Sequence, residues 1–290
     1  MAASFLLLGG TGRVGRMLRW HWPEPGQWIA PSRRAAAGGL EWSPLQGPAA
    51  LLAHLDRTGT TPRAMIVLAG VTPGPGVDEA ALQGNSALAV ASLQAAQAAG
   101  IARVILASSS AVYGVHPQGK PFAETDDVQP LNAYGRAKLA METAAEPFRA
   151  AGLEVCALRI GNVAGADALL HPLATAPATP RAPVRIDAFA DGRGPLRSYI
   201  GPQTLARVLS ALAAHPSPLP QILNLAAPRP VRMRALALAA GWPVEMVPAP
   251  AHAQQSITLD TSCLAALCKL EEKDSDPAEM VAQWKATLIP

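Results

Sequence analysis

Residues 5–15 read Phe5-Leu6-Leu7-Leu8-Gly9-Gly10-Thr11-Gly12-Arg13-Val14-Gly15. Four consecutive apolar residues predict a short strand buried on both faces. Glycines follow at 9, 12 and 15, a GxxGxxG spacing, and a helix is expected over 13–20. Where a dinucleotide binds, the three glycines act separately. One turns the chain, one admits the pyrophosphate to the backbone, and one lets the helix approach the sheet. The helix, opened by Arg13 and Val14, then offers unpaired N–H groups and its positive dipole end to phosphate. A tight turn without a ligand uses the same local chemistry. Its position at the first strand-to-helix turn favours dinucleotide binding.

Outward from this turn, strands are expected at 27–30, 64–68, 103–107, 154–160 and 221–225. Helices are expected at 49–55, 79–99 and 132–150, with Pro147 bending or ending the last. The alternation predicts an α/β fold, a Rossmann-type doubly wound parallel sheet. After Gly165 the composition changes. Pro172, Pro177, Pro180 and Pro183 exclude a regular helix over 171–183, which reads as a surface loop. Shorter helices are expected at 203–214, 233–240 and 262–270. The expected division is a dinucleotide-binding domain at 1–165, to which 195–226 returns, and a small substrate-binding part made of 166–194 and 227–290.

Half of the 290 residues are apolar, which allows a sizeable core, and 24 basic against 21 acidic residues leave a net charge of +3. That charge is too mild to call for nucleic acid or a membrane surface as partner; a small-molecule substrate is expected. No stretch has the form of a secretory signal, and none approaches the roughly 20 apolar residues of a spanning helix. Cys156, Cys263 and Cys268 are odd in number and lack metal-site spacing, so they read as reduced thiols of a cytoplasmic protein. The histidines show no ligand spacing either, and no metal is expected.

The end of the second strand should meet the adenosine ribose. An acidic residue there bonds a 2′-hydroxyl and so selects NAD. The sequence has Pro31-Ser32-Arg33-Arg34, and two guanidinium groups suit a 2′-phosphate. NADP is therefore preferred, with NAD the alternative.

Tyr134 and Lys138 lie four apart on an expected helix, hence on one face. A phenol is a poor base at neutral pH. A neighbouring ammonium stabilises its phenolate and makes the pair fit for proton transfer. Ser108-Ser109-Ser110-Ala111-Val112-Tyr113-Gly114 begins where the strand at 103–107 ends, at the sheet edge where open α/β folds bind ligands. A hydroxyl there can hold a substrate oxygen beside Tyr134.

With these segments in hand, the chain resembles the extended short-chain dehydrogenase/reductases, the NAD-dependent epimerase/dehydratase family. The resemblance runs from Phe5 to about Leu225. It is carried by GGTGRVG at 9–15, SSSAVYG at 108–114, YGRAK at 134–138 and LRIGNVAG at 158–165, with weaker matches at 67–70, Asn85, 197–200 and 222–224. It implies Ser109, Tyr134 and Lys138 as catalytic residues. It further implies Ala69, Gly70, Asn85 and Ser108 at the cofactor, and Ser110, Asn162 and Arg197 at the substrate. A homodimer through the helices bearing Asn85 and Tyr134 is the implied assembly, with a monomer the alternative. One departure bears on chemistry. Dehydratases of the family carry an Asp-Glu pair directly after the catalytic hydroxyl, where this chain has Ser110 and Ala111, so water loss lacks its proton shuttle. The motif that usually follows the segment at 197–200 is also replaced, by Gly201-Pro202-Gln203-Thr204.

Three readings remain. The first is an epimerase or oxidoreductase of a nucleotide sugar, with Arg181, Arg185 and Arg197 available to a diphosphate. The second is an NADP-dependent carbonyl reductase of a smaller substrate. The third is a cofactor-binding regulatory protein without turnover.

Overall fold

A computed structural model describes residues 5–24, 28–34, 39–116, 119–175 and 182–288. In chain order the first elements are β1 (Phe5–Leu8), α1 (Arg13–His21), β2 (Trp28–Ile29), α2 (Ala49–Thr58), β3 (Ala64–Val67), α3 (Glu79–Ala98), β4 (Arg103–Ser109), α4 (Ala133–Ala144), α5 (Glu146–Ala150) and β5 (Glu154–Ile160). There follow β6 (Asn162–Val163), β7 (Val184–Ala188), β8 (Leu196–Arg197), β9 (Tyr199–Ile200), α6 (Pro202–Ala213) and β10 (Ile222–Leu225). The chain ends with β11 (Val231–Arg232), α7 (Met233–Ala239), β12 (Val244–Pro248), β13 (Ser256–Ile257), α8 (Ser262–Leu267) and α9 (Pro277–Ala286).

Six strands form one sheet in the order β10-β5-β4-β3-β1-β2. The pairings of β1 with β2, β1 with β3 and β3 with β4 are parallel. From β1 the chain goes to β2 on one side, then crosses to β3, β4 and β5 on the other. The connections beyond β1 and β3 therefore part, which opens a crevice at their C-terminal ends. Pro147 divides the helix expected over 132–150: α4 stops at Ala144, and Pro147 sits in the first turn of α5, where a missing N–H costs nothing. Gln27, Pro177, Pro180 and Arg181 lie outside the described residues.

The chain divides into two compact units. The first comprises Met1–Gly114, Asp127–Arg159 and Leu209–Leu223; the second comprises Val115–Asp126, Ile160–Val208 and Asn224–Pro290. Composition alone drew boundaries at 165 and 195; backbone pairing draws them elsewhere. The Phe122 N–H donates to Thr258 O, and the Asp260 N–H to Phe122 O, both at 2.8 Å, which fastens 115–126 into the second unit. Residues 162–163 pair with 199–200, and β8 pairs with β11 and β13, which holds 195–200 there too.

The first unit has a core of Leu6, Leu8, Met65, Val67, Val104 and Leu106 from the strands, with Leu93, Ala96 and Met141 from α3 and α4, all buried. In the second unit β7 and β12 form a parallel pair, Val184 opposite Val244 through Ala188 opposite Pro248. There Gln283 of α9 accepts from the Thr204 N–H at 3.2 Å, and Asp274 accepts from the Thr204 hydroxyl at 3.0 Å and from Arg207 at 2.7 Å. Among the described residues no helix is long and apolar enough to cross a membrane.

Candidate active site

The crevice of the first unit has a volume of about 470 Å³ and is lined by Gly9, Thr11, Gly12, Arg33, Ala69, Gly70 and Asn85 among others. Its floor is backbone because side chains do not fit. A Cβ on Gly9, whose φ is +86°, would stand 2.5 Å from Ala69 N; one on Gly15 would stand 2.1 Å from Gly9 O. Gly15 thus lets α1 press against the turn, and Gly9 lets the turn press against the strand end after β3. The first turn of α1 holds no acidic residue, and Arg13 opens it, so its N–H groups face no competing carboxylate. These residues fit a dinucleotide: a strand-end crevice, bare backbone and a nine-residue helix aimed by its N-terminus.

Sequence reasoning missed one wall of this crevice, formed by Trp42, Ser43, Pro44 and Leu45. Its signal was legible. Ser43 and Gln46 form a reciprocal capping box with Pro44 at the start, an S-x-x-Q pattern, here on a single 3₁₀ turn. Leu45 is 65% exposed, an apolar side chain free to meet a flat ring. Arg34 is exposed and outside the lining; its carbonyl accepts from the Ser32 hydroxyl at 2.8 Å.

Asn85 joins the crevice to the Tyr-Lys pair. Its Oδ1 accepts from the Val71 N–H at 2.7 Å and its Nδ2 donates to Val71 O at 3.0 Å, so it clamps the segment after β3. A Cβ on Gly70 would lie 2.7 Å from Asn85 Oδ1 and 3.7 Å from Lys138 Nζ. Asn132 caps α4 by accepting from the Gly135 N–H at 2.8 Å, which sets the register of Tyr134 and Lys138. Lys138 Nζ lies 5.8 Å from the centre of the Tyr134 ring and donates to Ala107 O at 2.7 Å. The Ser109 hydroxyl accepts from the Ala111 N–H at 3.2 Å and stands near enough to the Tyr134 phenol to favour its ionisation. The structure therefore brings Ser109, Tyr134 and Lys138 together from β4 and α4.

Burial pushes the Tyr134 phenol above its ordinary value, and the neighbouring Ser109 hydroxyl offsets part of that rise. Burial lowers Lys138 to about 8, against the opposing charge of Glu142. Ser108 is placed differently from expectation: its hydroxyl faces α4, where it meets Glu142 Oε1 at 2.5 Å, and it is 4% exposed. That geometry ties Ser108 to the helix rather than to a cofactor. Ser110 starts the 3₁₀ turn Ser110–Val112, and its carbonyl accepts from the Tyr113 N–H.

In the second unit, Asn162 and Arg197 line one hollow of about 320 Å³ together with Asp167, Arg185, Asp187 and Tyr199. Three carbonyls, of Leu196, Gln254 and Gln255, hold the Arg197 guanidinium. Asp167 accepts from the N–H groups of Gly165, Leu169 and Leu170 and from the Tyr199 hydroxyl. Arg185 sits on β7, largely exposed and 3.8 Å from Glu245.

The model of the NAD dependent epimerase/dehydratase family matches residues 5–215. The UDP-glucose 4-epimerase of Rhizobium leguminosarum bv. trifolii is 45% identical over 76 residues, 26% of this chain and 23% of that protein. The dTDP-6-deoxy-L-talose 4-dehydrogenase (NAD(P)(+)) of Kitasatospora kifunensis is 32% identical over 180 residues, 59% of this chain and 56% of that protein. The chain thus spans about a quarter of the first of these relatives and just over half of the second. Among solved structures, UDP-glucose 4-epimerase from Brucella ovis in complex with NAD aligns with a TM-score of 0.80 at 24% identity, over 97% of this chain and 96% of that one. The UDP-Glc/GlcNAc 4-epimerase of Campylobacter jejuni aligns with a TM-score of 0.76 at 20% identity, over 98% of both chains. These two likenesses are of fold.

Proposed function

The chain belongs to the NAD dependent epimerase/dehydratase family, and from that premise we propose that it is an NAD(P)-dependent epimerase or dehydrogenase of a nucleotide sugar. One observation carries the reading: Ser109, Tyr134 and Lys138 converge on a shared centre that Gly70 and Asn85 connect to the glycine-floored crevice. A nicotinamide cofactor, when bound, supplies a carrier for hydride. The side chains do the rest. Ser109 orients the substrate oxygen, Tyr134 takes its proton during oxidation and returns it during reduction, and the Lys138 ammonium favours the phenolate. Arg185 and Arg197 are the cations that would serve a diphosphate, and Asn162 would contact substrate.

Tyr134→Phe tests this directly. Turnover should fall at least about 100-fold while cofactor still protects the fold against heating. Unchanged turnover would remove the proton-transfer role and favour a binding protein without catalysis. Net consumption of cofactor separates the two chemistries, since an epimerase returns its hydride and a dehydrogenase does not. The dehydrogenase reading draws its own support from the longer alignment with the talose 4-dehydrogenase.

NADP is the proposed preference. Among the described residues, the crevice lining carries Arg33 and no carboxylate. Arg33→Glu should weaken NADP binding about tenfold or more and spare NAD, read from a thermal-shift titration. We also propose a homodimer through α3 and α4, and a cytoplasmic setting in which Cys156, Cys263 and Cys268 stay as thiols.

A further inference from the structure

Beside the reacting pair lies a charged cluster that proton transfer leaves unused. Glu142 follows Lys138 by one helical turn and so shares its face of α4. It is 4% exposed. Its Oε1 accepts from the Ser108 hydroxyl at 2.5 Å and from Arg159 Nε at 3.2 Å; its Oε2 accepts from Arg159 Nη2 at 2.9 Å. Arg159, on β5, is 5% exposed, and its guanidinium lies 4.7 Å from the Tyr113 ring centre. Burial works against charge on Arg159, and the bond and charge of Glu142, joined by Tyr113, more than restore it.

A buried ion pair is a poor device for stability alone, because apolar side chains of similar volume often serve as well or better. Its placement suggests another use. Among the described residues, Lys138 Nζ donates to Ala107 O of β4, lies 5.8 Å from the Tyr134 ring centre, is bordered by Gly70 and Asn85, and feels the charge of Glu142 one turn further along its own helix. Arg159 and Tyr113 stand behind Glu142. Of these, Glu142 is the one acidic side chain, and it is clamped from two strands.

We propose that Glu142 is a positioning residue of the reaction centre: held by Ser108 on β4 and Arg159 on β5, its carboxylate fixes the face of α4 that carries Tyr134 and Lys138 and supplies the negative charge that keeps the Lys138 ammonium in place beside the phenol. It acts through Lys138 and touches no substrate. This rests on Tyr134 and Lys138 being the reacting pair.

The chain has five lysines, Lys120, Lys138, Lys269, Lys273 and Lys285, so ¹³Cε labelling of lysine gives few resonances to follow against pH. Lys138→Arg assigns the one that matters. Glu142→Gln should lower the Lys138 titration midpoint by about one pH unit. It should also cut kcat at pH 8 roughly tenfold with KM unchanged, and Glu142→Asp should restore part of both. A folded Glu142→Gln protein with the wild-type lysine titration and kcat–pH profile overturns the proposal. Should that variant not fold, Glu142→Met combined with Arg159→Met exchanges the ion pair for apolar groups. The same two measurements then apply, and an unchanged titration and profile again overturn the proposal. Failure of the underlying reading looks different: Tyr134→Phe would then turn over normally, whatever the lysine resonance does.

Discussion

Lys138 is the residue where stability and chemistry pull apart. The proposed proton transfer needs its ammonium next to Tyr134, yet burial holds its pKa at about 8 against an ordinary 10.5. Between those two values the unfolded chain keeps a proton that the folded chain has released, so the stability attached to this group rises with pH across that window. Wild type measured against Lys138→Met by urea unfolding should therefore gain stability from pH 8 to pH 10; a constant difference would show that Lys138 does not titrate there. The proposed catalysis has the opposite slope. The ammonium is lost above about pH 8, and kcat should decline along that limb. At this scale the sequence is legible where spacing encodes geometry. Tyr134 and Lys138 are one turn apart on a helix, and Ser109 ends a strand. Glu142 and Arg159 escaped because their partnership crosses from α4 to β5, and nothing local to either residue announces it.

The glycine turn and the strands around it were readable because each apolar run is continuous and each break is a glycine or a proline. β7 and β12 were not. They pair across 59 intervening positions, Val184 with Val244, and β7 lies directly behind a proline-rich stretch that reads as loop. α9 was also missed, and its role is specific. Gly165 has φ +84°, and a Cβ there would fall 1.9 Å from Trp284 Cδ1. Gly165→Ala must displace the indole, which should destabilise the protein by about 2 kcal/mol or more in urea unfolding. Gly59 is the internal comparison. It has φ +62° with nothing within 4 Å of a built Cβ, so Gly59→Ala should cost only the backbone strain, about 1 kcal/mol. Equal effects at the two positions would mean that the indole is not packed as described.

For the whole molecule, assembly and topology each make a claim. On α3, Ala87 and Ala98 are exposed and Ala91 is half-buried, so small side chains recur along one side of the helix. A second copy packing there would double the 30.0 kDa mass, and Ala91→Arg should return it to the single-chain value in light scattering; no change in mass would remove the proposed interface. Topology was predictable in class, since alternating strands and helices leave few arrangements, but the two-unit partition depends on bridges such as Phe122 to Thr258 that only coordinates reveal. The place of β10 beside β5 has a consequence for biogenesis. On a ribosome adding roughly 5–20 residues per second, β5 emerges several seconds before its outer neighbour at 222–225. Throughout that interval the nascent chain displays an apolar strand with an open hydrogen-bonding flank, the kind of template that recruits chaperones or seeds aggregates.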